Sequence, residues 1–394
     1  MSKLLDDVQH LAGTIGPRGT GTPAEAAAAD YVAQRLADLG LPVERRTFRA
    51  VASQNAFPFS ISLVALLAVV IYPLDGAITR WTAAALALLT PFLLWQAIIH
   101  SDSLLGPLLP HVTSRNVVTR LEPQGDPRRL AVVLAHMDTN RCRLIWQSST
   151  VRRLEPLTWL TAAILILLGL LYLTGALLGG PAWIWWLSLL PAGYQLGSLV
   201  TLWRDERTPF SPGAHDNAAS VAVALGLAER LAAQPLQNTQ VWLAFTGAEE
   251  TDHAGLKTLL REHDPALREA AFIDMEGVGS GEIVYLTRQG LCLPYRPSPD
   301  LLALAEKIAD RQPDLDVHAA QMTVEDEVRA LREGGYRAIC IAGRDPQTGS
   351  LPHWHRADDT PDTVSAQTLE QAAGFVIAML RELDNPSRVV REGN

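Results

Sequence analysis

The run LAVVLAHMD, residues 130–138, and the shorter GAHDN, residues 213–217, decide the fold. The first is an unbroken apolar run that stops at His136 and Asp138. Runs of this length without alternation suit strands buried on both faces of a parallel sheet. The second places Asp216 directly before a helix-like run, where the positive end of the helix dipole holds and orients a carboxylate. Between the two motifs, residues 157–203 contain no Asp, Glu, Lys or Arg. Potential metal ligands therefore flank a segment apolar enough for a bilayer.

Outward from there, the polar parts alternate strand and helix. SRNVVTRLE (114–122), TQVWLAF (239–245), AAFIDME (270–276), GEIVYLT (281–287) and YRAICIA (336–342) read as strands. Residues 217–233, 254–263, 301–311, 325–333 and 365–383 read as helices. Near the start, Thr22 is a good N-cap, Pro23 suits the first helical position, and Glu25 stands three residues after the cap. That helix ends at Gly40, and LPVERRTFRA alternates like an edge strand. The pattern predicts an α/β three-layer sandwich with a mixed central sheet.

Two pairs of apolar segments interrupt it, at 56–74 with 81–99 and at 157–178 with 182–203. Each is near the roughly 20 residues that span a bilayer as a helix. Trp159, Tyr172, Trp183, Trp185, Trp186 and Trp203 sit near segment ends, as interfacial aromatics do. The expected organisation is two transmembrane hairpins, 56–100 and 157–203, inserted into one catalytic domain made of 1–55, 101–156 and 204–394. Arg45, Arg46, Arg49, Arg141, Arg143, Arg152, Arg153, Arg204 and Arg207 lie on the polar side, whereas the hairpin tips hold only Arg80, offset by Asp75. The positive-inside tendency puts the polar domain in the cytoplasm of a four-helix, multi-pass protein. The first helix, MSKLLDDVQHLAGTIG, lacks the basic start and apolar core of a signal peptide.

Bulk composition agrees. The chain has 394 residues, 48% of them hydrophobic, and a net charge of −9, with mean hydropathy +0.10. No basic run of the kind that binds nucleic acid is present. Cys142, Cys292 and Cys340 are widely spaced, and suit neither a disulfide framework nor a structural zinc site. Nothing in the sequence specifies an oligomeric state.

Ligands of α/β sheets bind at the carboxyl ends of strands. There the chain repeatedly places acids and imidazoles: His136 and Asp138, Glu249 and Glu250, Asp274, and His355 in LPHWHRADDTPD. Each alone has a bland explanation as a surface histidine, a solvated helix start, an N-cap or a turn former. Their recurrence at successive strand ends is harder to dismiss.

Taken together, HMD, GAHDNAAS, GAEETDHAG, IDMEG and HRADDTPD resemble the di-zinc exopeptidase family of bacterial leucyl aminopeptidases and glutamate carboxypeptidases. The resemblance covers the chain outside the hairpins, including IGPRGTG near the start. It implies two Zn2+ ions held by His136, Asp216, Glu250, Asp274 and His355, with Asp216 bridging. It implies Glu249 as general base on a bridging water and Asp138 as support for His136. Other divalent transition metals suit the same donors. The implied activity is hydrolysis of a peptide substrate from a chain end, with an aminopeptidase preferred and a carboxypeptidase left open; the apolar pairs would embed the protein in the lipid bilayer.

Some positions depart from the pattern. His215 stands where a small or acidic residue is commoner, and is expected to line the pocket. His353 competes with His355, which the spacing to DDT favours. Asp326, in the run EDE, is a weaker candidate for substrate contact. Two other readings stand beside the peptidase. One is a catalytically silent membrane scaffold, which would have no physical reason to keep costly converging carboxylates. The other is glutaminyl-cyclase-like acyl transfer, which implies a single metal and leaves His136 and Asp274 without a role. Because His136 and Asp216 must approach one ion, the ends of the second hairpin are expected to leave the polar domain beside the site.

Overall fold

The structure is a computed structural model and describes residues 3–99, 103–146, 148–151 and 153–385. Arg152, one of the flanking arginines above, and residue 100, the expected end of the first hairpin, lie outside them. The chain divides into two compact units. One comprises the chain up to Ala50, His111–Cys142 and the chain from Pro209 onward; the other comprises Val51–Pro110 and Arg143–Thr208.

In the first unit, the strands are β1 (Glu44–Val51, which crosses the boundary), β2 (His111–Leu121), β3 (Arg129–His136), β4 (Thr239–Thr246), β5 (Ala271–Glu276), β6 (Glu282–Arg288), β7 (His318–Gln321) and β8 (Arg337–Arg344). They form one sheet in the order β1-β2-β4-β3-β5-β8-β6-β7. The central strands β4, β3, β5 and β8 are parallel, and β2 and β6 join them antiparallel. The sheet is therefore mixed, and its buried parallel strands are the apolar runs of the sequence.

The helices of both units are α1 (Lys3–Val8), α2 (Pro23–Asp38), α3 (Ala56–Ile71), α4 (Ala77–Ile99), α5 (Ser148–Val151), α6 (Leu154–Leu177), α7 (Ala182–Asp205), α8 (Ser220–Ala233), α9 (Ala254–Leu267), α10 (Pro299–Arg311), α11 (Val328–Glu333) and α12 (Ala366–Asp384). Residues of α1, α2, α8, α10 and α12 share one core with Val133, Leu243, Ile273 and Ile341 of the sheet. Alternation along the strands sends their neighbours to the opposite face, where α9 and α11 pack on β2 and β8. The N-terminus of α2 is capped as the sequence suggests: Glu25 N–H donates to Thr22 Oγ1 at 3.3 Å. The Glu25 carboxylate does not close the box on Thr22. It accepts from Gly21 N at 2.6 Å, from Ser114 Oγ at 2.5 Å and from Ala248 N at 3.2 Å.

In the second unit, α3 and α6 each pack against both α4 and α7. Ser62 of α3 donates to Gln195 of α7 at 2.9 Å, and the Tyr172 and Ser188 hydroxyls lie 2.8 Å apart. Gly169 and Gly175 of α6 leave room for Leu88 and Tyr72. Small and polar residues at such contacts characterise helix packing in lipid. Ala77–Ile99 and Leu154–Leu177 are long and apolar enough to cross a membrane. The expectation of four spanning helices is narrowed here. Helix α3 stops at Ile71 rather than near residue 74, and its 16 residues reach about 24 Å, short of a core of about 30 Å. Helix α7 is diluted by Gln195, Gly197, Ser198 and Thr201. Leu67, Val70, Phe92, Trp95, Leu170, Trp186 and Leu190 are exposed on these helices. At the hairpin tips, Arg80 packs against Gly180, so the two tips share one end of the unit.

Candidate metal centre and active site

Strand register selects the acids of the site. In β3 and β4, His136 is level with Thr246, so residues just past Thr246 are carried out beside it. In β3 and β5, Leu134 is level with Asp274. One pleat further along the same register, Glu276 comes level with His136. His136 Nε2 lies 3.4 Å from Glu276 Oε1 and 3.2 Å from Asp216 Oδ1. On the other side of Asp216, His355 Nε2 is 2.9 Å from Oδ2 and 3.1 Å from Glu250 Oε1. The donors thus form two groups of three, His136–Asp216–Glu276 and Asp216–Glu250–His355, that share one carboxylate.

Asp274 is not in either group, which corrects the ligand set drawn from the sequence. It sits two residues before the strand end, level with Leu134 and Cys340. There its carboxylate forms a separate buried cluster with Asp326 and Cys340. Burial, with the charges of Asp326 and Glu327, pushes its pKa well above the carboxylate range. Glu276 takes the position at the mouth of the sheet, and Asn217 Nδ2 donates to its Oε2 at 3.2 Å. The sequence signal was present in IDMEG, where two acids alternate on one strand face; register decides between them.

Asp216 shows what the centre is built to hold. It is 2% exposed, and neither carboxylate oxygen accepts a hydrogen bond. An imidazole nitrogen faces each oxygen instead. A buried carboxylate left this way is costly unless paired or bound to metal. Glu250 Oε1 likewise accepts no hydrogen bond, while Oε2 accepts from Asn140 Nδ2 at 2.6 Å. Imidazole nitrogens and carboxylate oxygens are the donors of transition-metal sites. Burial opposes charge on both imidazoles, but carboxylates outweigh it. Glu250 and Asp216 raise His355 to about 10, and Glu276 and Glu249 raise His136 well above its ordinary value.

Asp138 is fully buried and does more than support His136. Its carboxylate accepts from Glu249 N at 3.0 Å, Glu250 N at 3.2 Å and Thr20 Oγ1 at 2.8 Å. His136 Nδ1 is 3.1 Å from the Asp138 carbonyl oxygen and 3.6 Å from its carboxylate. Asp138 therefore fixes the turn after β4. Glu249 Oε2 lies 3.9 Å from His136 Nε2, and Oε1 lies 2.8 Å from His253 Nδ1. Burial, with Glu250 and Asp138 nearby, pushes the Glu249 pKa well above the carboxylate range. His253 had no role in the sequence reading. It follows Glu249 by four residues, in a left-handed conformation that turns it back towards that carboxylate.

Two expected pocket residues are placed elsewhere. His215 is fully enclosed, with Nδ1 2.8 Å from Asp359 Oδ1 and Nε2 2.7 Å from Ser280 Oγ. It does not line the pocket, because both ring nitrogens are engaged inside the unit. Asp326 is also buried: it accepts from Gln289 Nε2 at 2.8 and 2.7 Å and from Val328 N at 2.9 Å, so it anchors α11 rather than facing substrate. His353 Nδ1 lies 3.3 Å from Asp358 Oδ2, outside both donor groups.

Arg18 of IGPRGTG is 1% exposed and ties the loops together. Its Nε donates to Met137 O at 2.9 Å. Nη1 donates to Leu11 O and Gly16 O at 3.0 Å and to Pro212 O at 2.8 Å, and Nη2 to Gly213 O at 2.8 Å. The loop carrying His136 and Asp138 is thereby joined to the one leading to Asp216.

Comparison with known proteins gives a consistent picture. The fold is shared with a zinc aminopeptidase from Bacillus subtilis, at TM-score 0.57 and 16% identity, covering 98% of this chain and 95% of that one. It is shared equally with a glutaminyl cyclase from Bacteroides thetaiotaomicron, at TM-score 0.56 and 15% identity, covering 96% of each chain. Endoplasmic reticulum metallopeptidase 1 of Rattus norvegicus is 30% identical over 184 residues, which are 44% of this chain and 19% of that protein. The chain thus spans only a small part of that relative's length. Residues 203–380 match Peptidase family M28, and they contain Asp216, Glu249, Glu250, Glu276 and His355. Residues 203–380 are thus similar to peptidase family M28, and they lie on an aminopeptidase-like fold that β3 and the N-terminal segment complete.

Proposed function

We propose that this chain is a di-zinc exopeptidase, an aminopeptidase rather than a carboxypeptidase, anchored in a lipid bilayer by its apolar helices. The observation that carries it is Asp216, a buried carboxylate shared by two donor groups, with no hydrogen bond to either oxygen. His136, Glu276 and one oxygen of Asp216 would hold one ion; Glu250, His355 and the other oxygen would hold the second. When bound, such a pair supplies Lewis acidity at the scissile carbonyl and makes water acidic enough to lose a proton near neutral pH. Glu249 takes that proton and later delivers it to the leaving amine. Its raised pKa moves in the direction that suits a proton carrier. Asp138 keeps Glu249 and Glu250 in place by accepting both their backbone N–H groups.

Glutaminyl cyclisation on the same fold would require one ion. The second donor group, with His136 and Glu276, favours hydrolysis. Manganese or cobalt would also suit these donors. Arginines flanking the apolar helices support a cytoplasmic position for the peptidase unit.

The test is metal analysis and peptide-library digestion of the full chain in nanodiscs, with and without chelator. Two zinc equivalents and chelator-sensitive removal of N-terminal residues are expected. Metal content near zero, or cyclisation of N-terminal glutamine without loss of a residue, would overturn the reading.

A further inference from the structure

Five segments carry the donors of the centre, and one chain of hydrogen bonds joins three of them, those of Asp216, Glu276 and His355. Asp359 lies four residues after His355. Its Oδ1 accepts from His215 N at 2.7 Å and lies 2.8 Å from His215 Nδ1, while Oδ2 accepts from Asp216 N at 3.3 Å. Because the carboxylate accepts at Nδ1, that nitrogen carries the proton, and in the neutral ring Nε2 is the acceptor. Ser280 Oγ, 2.7 Å away, donates to it. Ser280 belongs to the turn that follows Glu276, and Gly279 in that turn leaves room for the His215 ring. The acid–imidazole–hydroxyl order is that of a serine hydrolase. Here the imidazole is wholly enclosed, so it joins loops instead of serving a nucleophile.

We propose that Asp359, His215 and Ser280 form a positioning relay that locks the loops of His355, Asp216 and Glu276 into one unit, so that the two ion positions fill together. The proposal rests on the two-ion reading above. Neither His215 nor Ser280 is within the donor groups. The relay acts on backbone: Asp359 holds the N–H groups of His215 and Asp216, and the His215 ring reaches across to Ser280 in the turn after Glu276. With the relay intact, ordering one group of donors orders the other. Cutting it leaves the Glu276 turn tied to the Asp216 loop only through Asn217, which donates to Met275 O and Glu276 Oε2 and accepts from Gly277 N, while Asp216 and His355 remain joined through Asp359.

The experiment is a zinc titration of the metal-free full chain in detergent, competed by a chromophoric chelator. The wild type should take up two equivalents in one steep transition. Ser280→Ala should still take up two, but in two separate steps, the weaker at least about tenfold poorer than in the wild type, as for lost outer-shell partners. Ser280→Thr, which keeps the hydroxyl, should restore the single transition. His215→Asn can still donate to Asp359 but cannot reach Ser280, and should split the transition as Ser280→Ala does. A single wild-type-like transition in both Ser280→Ala and His215→Asn would overturn the relay, as would two independent steps in the wild type. Uptake of fewer than two equivalents by the wild type would instead refute the two-ion reading itself.

Discussion

Replacing Arg18 by Met should loosen the whole centre without touching a donor. The guanidinium makes five hydrogen bonds to main-chain carbonyls of three segments. A hydrogen bond to a charged group contributes about 1.5–3 kcal/mol. Five at the low end come to about 7 kcal/mol. Burial works the other way: it lowers the guanidinium pKa to about 10, a displacement worth about 3 kcal/mol. The net loss on removing Arg18 is then about 4 kcal/mol, since the carbonyls of Met137 and Pro212 lose this donor and that of Gly213 keeps only Ala218 N–H. For a unit of this size each kcal/mol lowers Tm by about 2–4 °C, so scanning calorimetry should record a fall of about 8–16 °C. Arg18→Lys should recover only part of it, because one ammonium lacks the span of the planar fork. Both variants should also surrender zinc at lower chelator concentration, because the freed loops carry His136 and Asp216. A Tm within about 2 °C of wild type, with unchanged zinc retention, would refute the argument.

Three further outcomes follow. Glu249→Gln should keep its zinc and lose about 10²–10⁴-fold in kcat, the range for a general base; turnover near wild type would remove Glu249 from the mechanism. Glu276→Gln should lose one of two zinc equivalents on metal analysis, whereas Asp274→Asn should keep both, and the reverse result would restore Asp274 as the ligand. Zinc should stabilise the chain more at pH 9 than at pH 6. His355 has a raised pKa of about 10 without metal, so its contribution to the metal-free fold is full below the ordinary imidazole value and fades as pH rises towards 10. Metal binding needs the neutral ring, so competition from protons falls over the same window. Equal Tm increments at the two pH values would contradict that assignment.

The sheet was legible because its central strands are unbroken apolar runs, such as LAVVLA and VWLAF, that end where polar chemistry starts. The placement of the candidate donors was legible to the same depth. His136, Glu249, Glu250, Asp216 and His355 stand just past strand ends or at a helix start, and those positions follow from local pattern alone. Asp274 and Glu276 could not be separated that way. Both lie on one face of β5, and only pairing with β3 shows which is level with His136. His215 and Asp326 have polar side chains in loop-like sequence, and nothing local reveals that Asp359, Ser280 and Gln289 would arrive from distant segments to engage them. For the apolar segments, hydrophobic length gave the helices, of which α4 and α6 are long and apolar enough to cross a membrane. It did not reveal that α3 would be cut short by the turn beginning at Tyr72.

An insertion between two donors of one centre raises a physical question, since fluctuations of some sixty intervening residues could be expected to blur the donors' geometry. The structure answers it locally. Just inside the points where the chain leaves the first unit and returns, the two segments are pinned to one another. Cys142 N–H donates to Pro209 O at 2.9 Å, and Ser211 N–H donates to Asn140 O at 2.8 Å. The Arg141 guanidinium covers the Phe210 ring at 4.0 Å. Arg18 closes the stem from the other side, through Met137, Pro212 and Gly213. Closing a long loop costs entropy that grows only with the logarithm of its length, so a stem of this kind, once formed, tolerates almost any intervening segment. His136 and Asp216 are therefore held by neighbours within their own unit. The apolar segment is compatible with the centre because the stem carries the constraint, and the sequence between residues 142 and 209 is left free of the demands of the donor geometry.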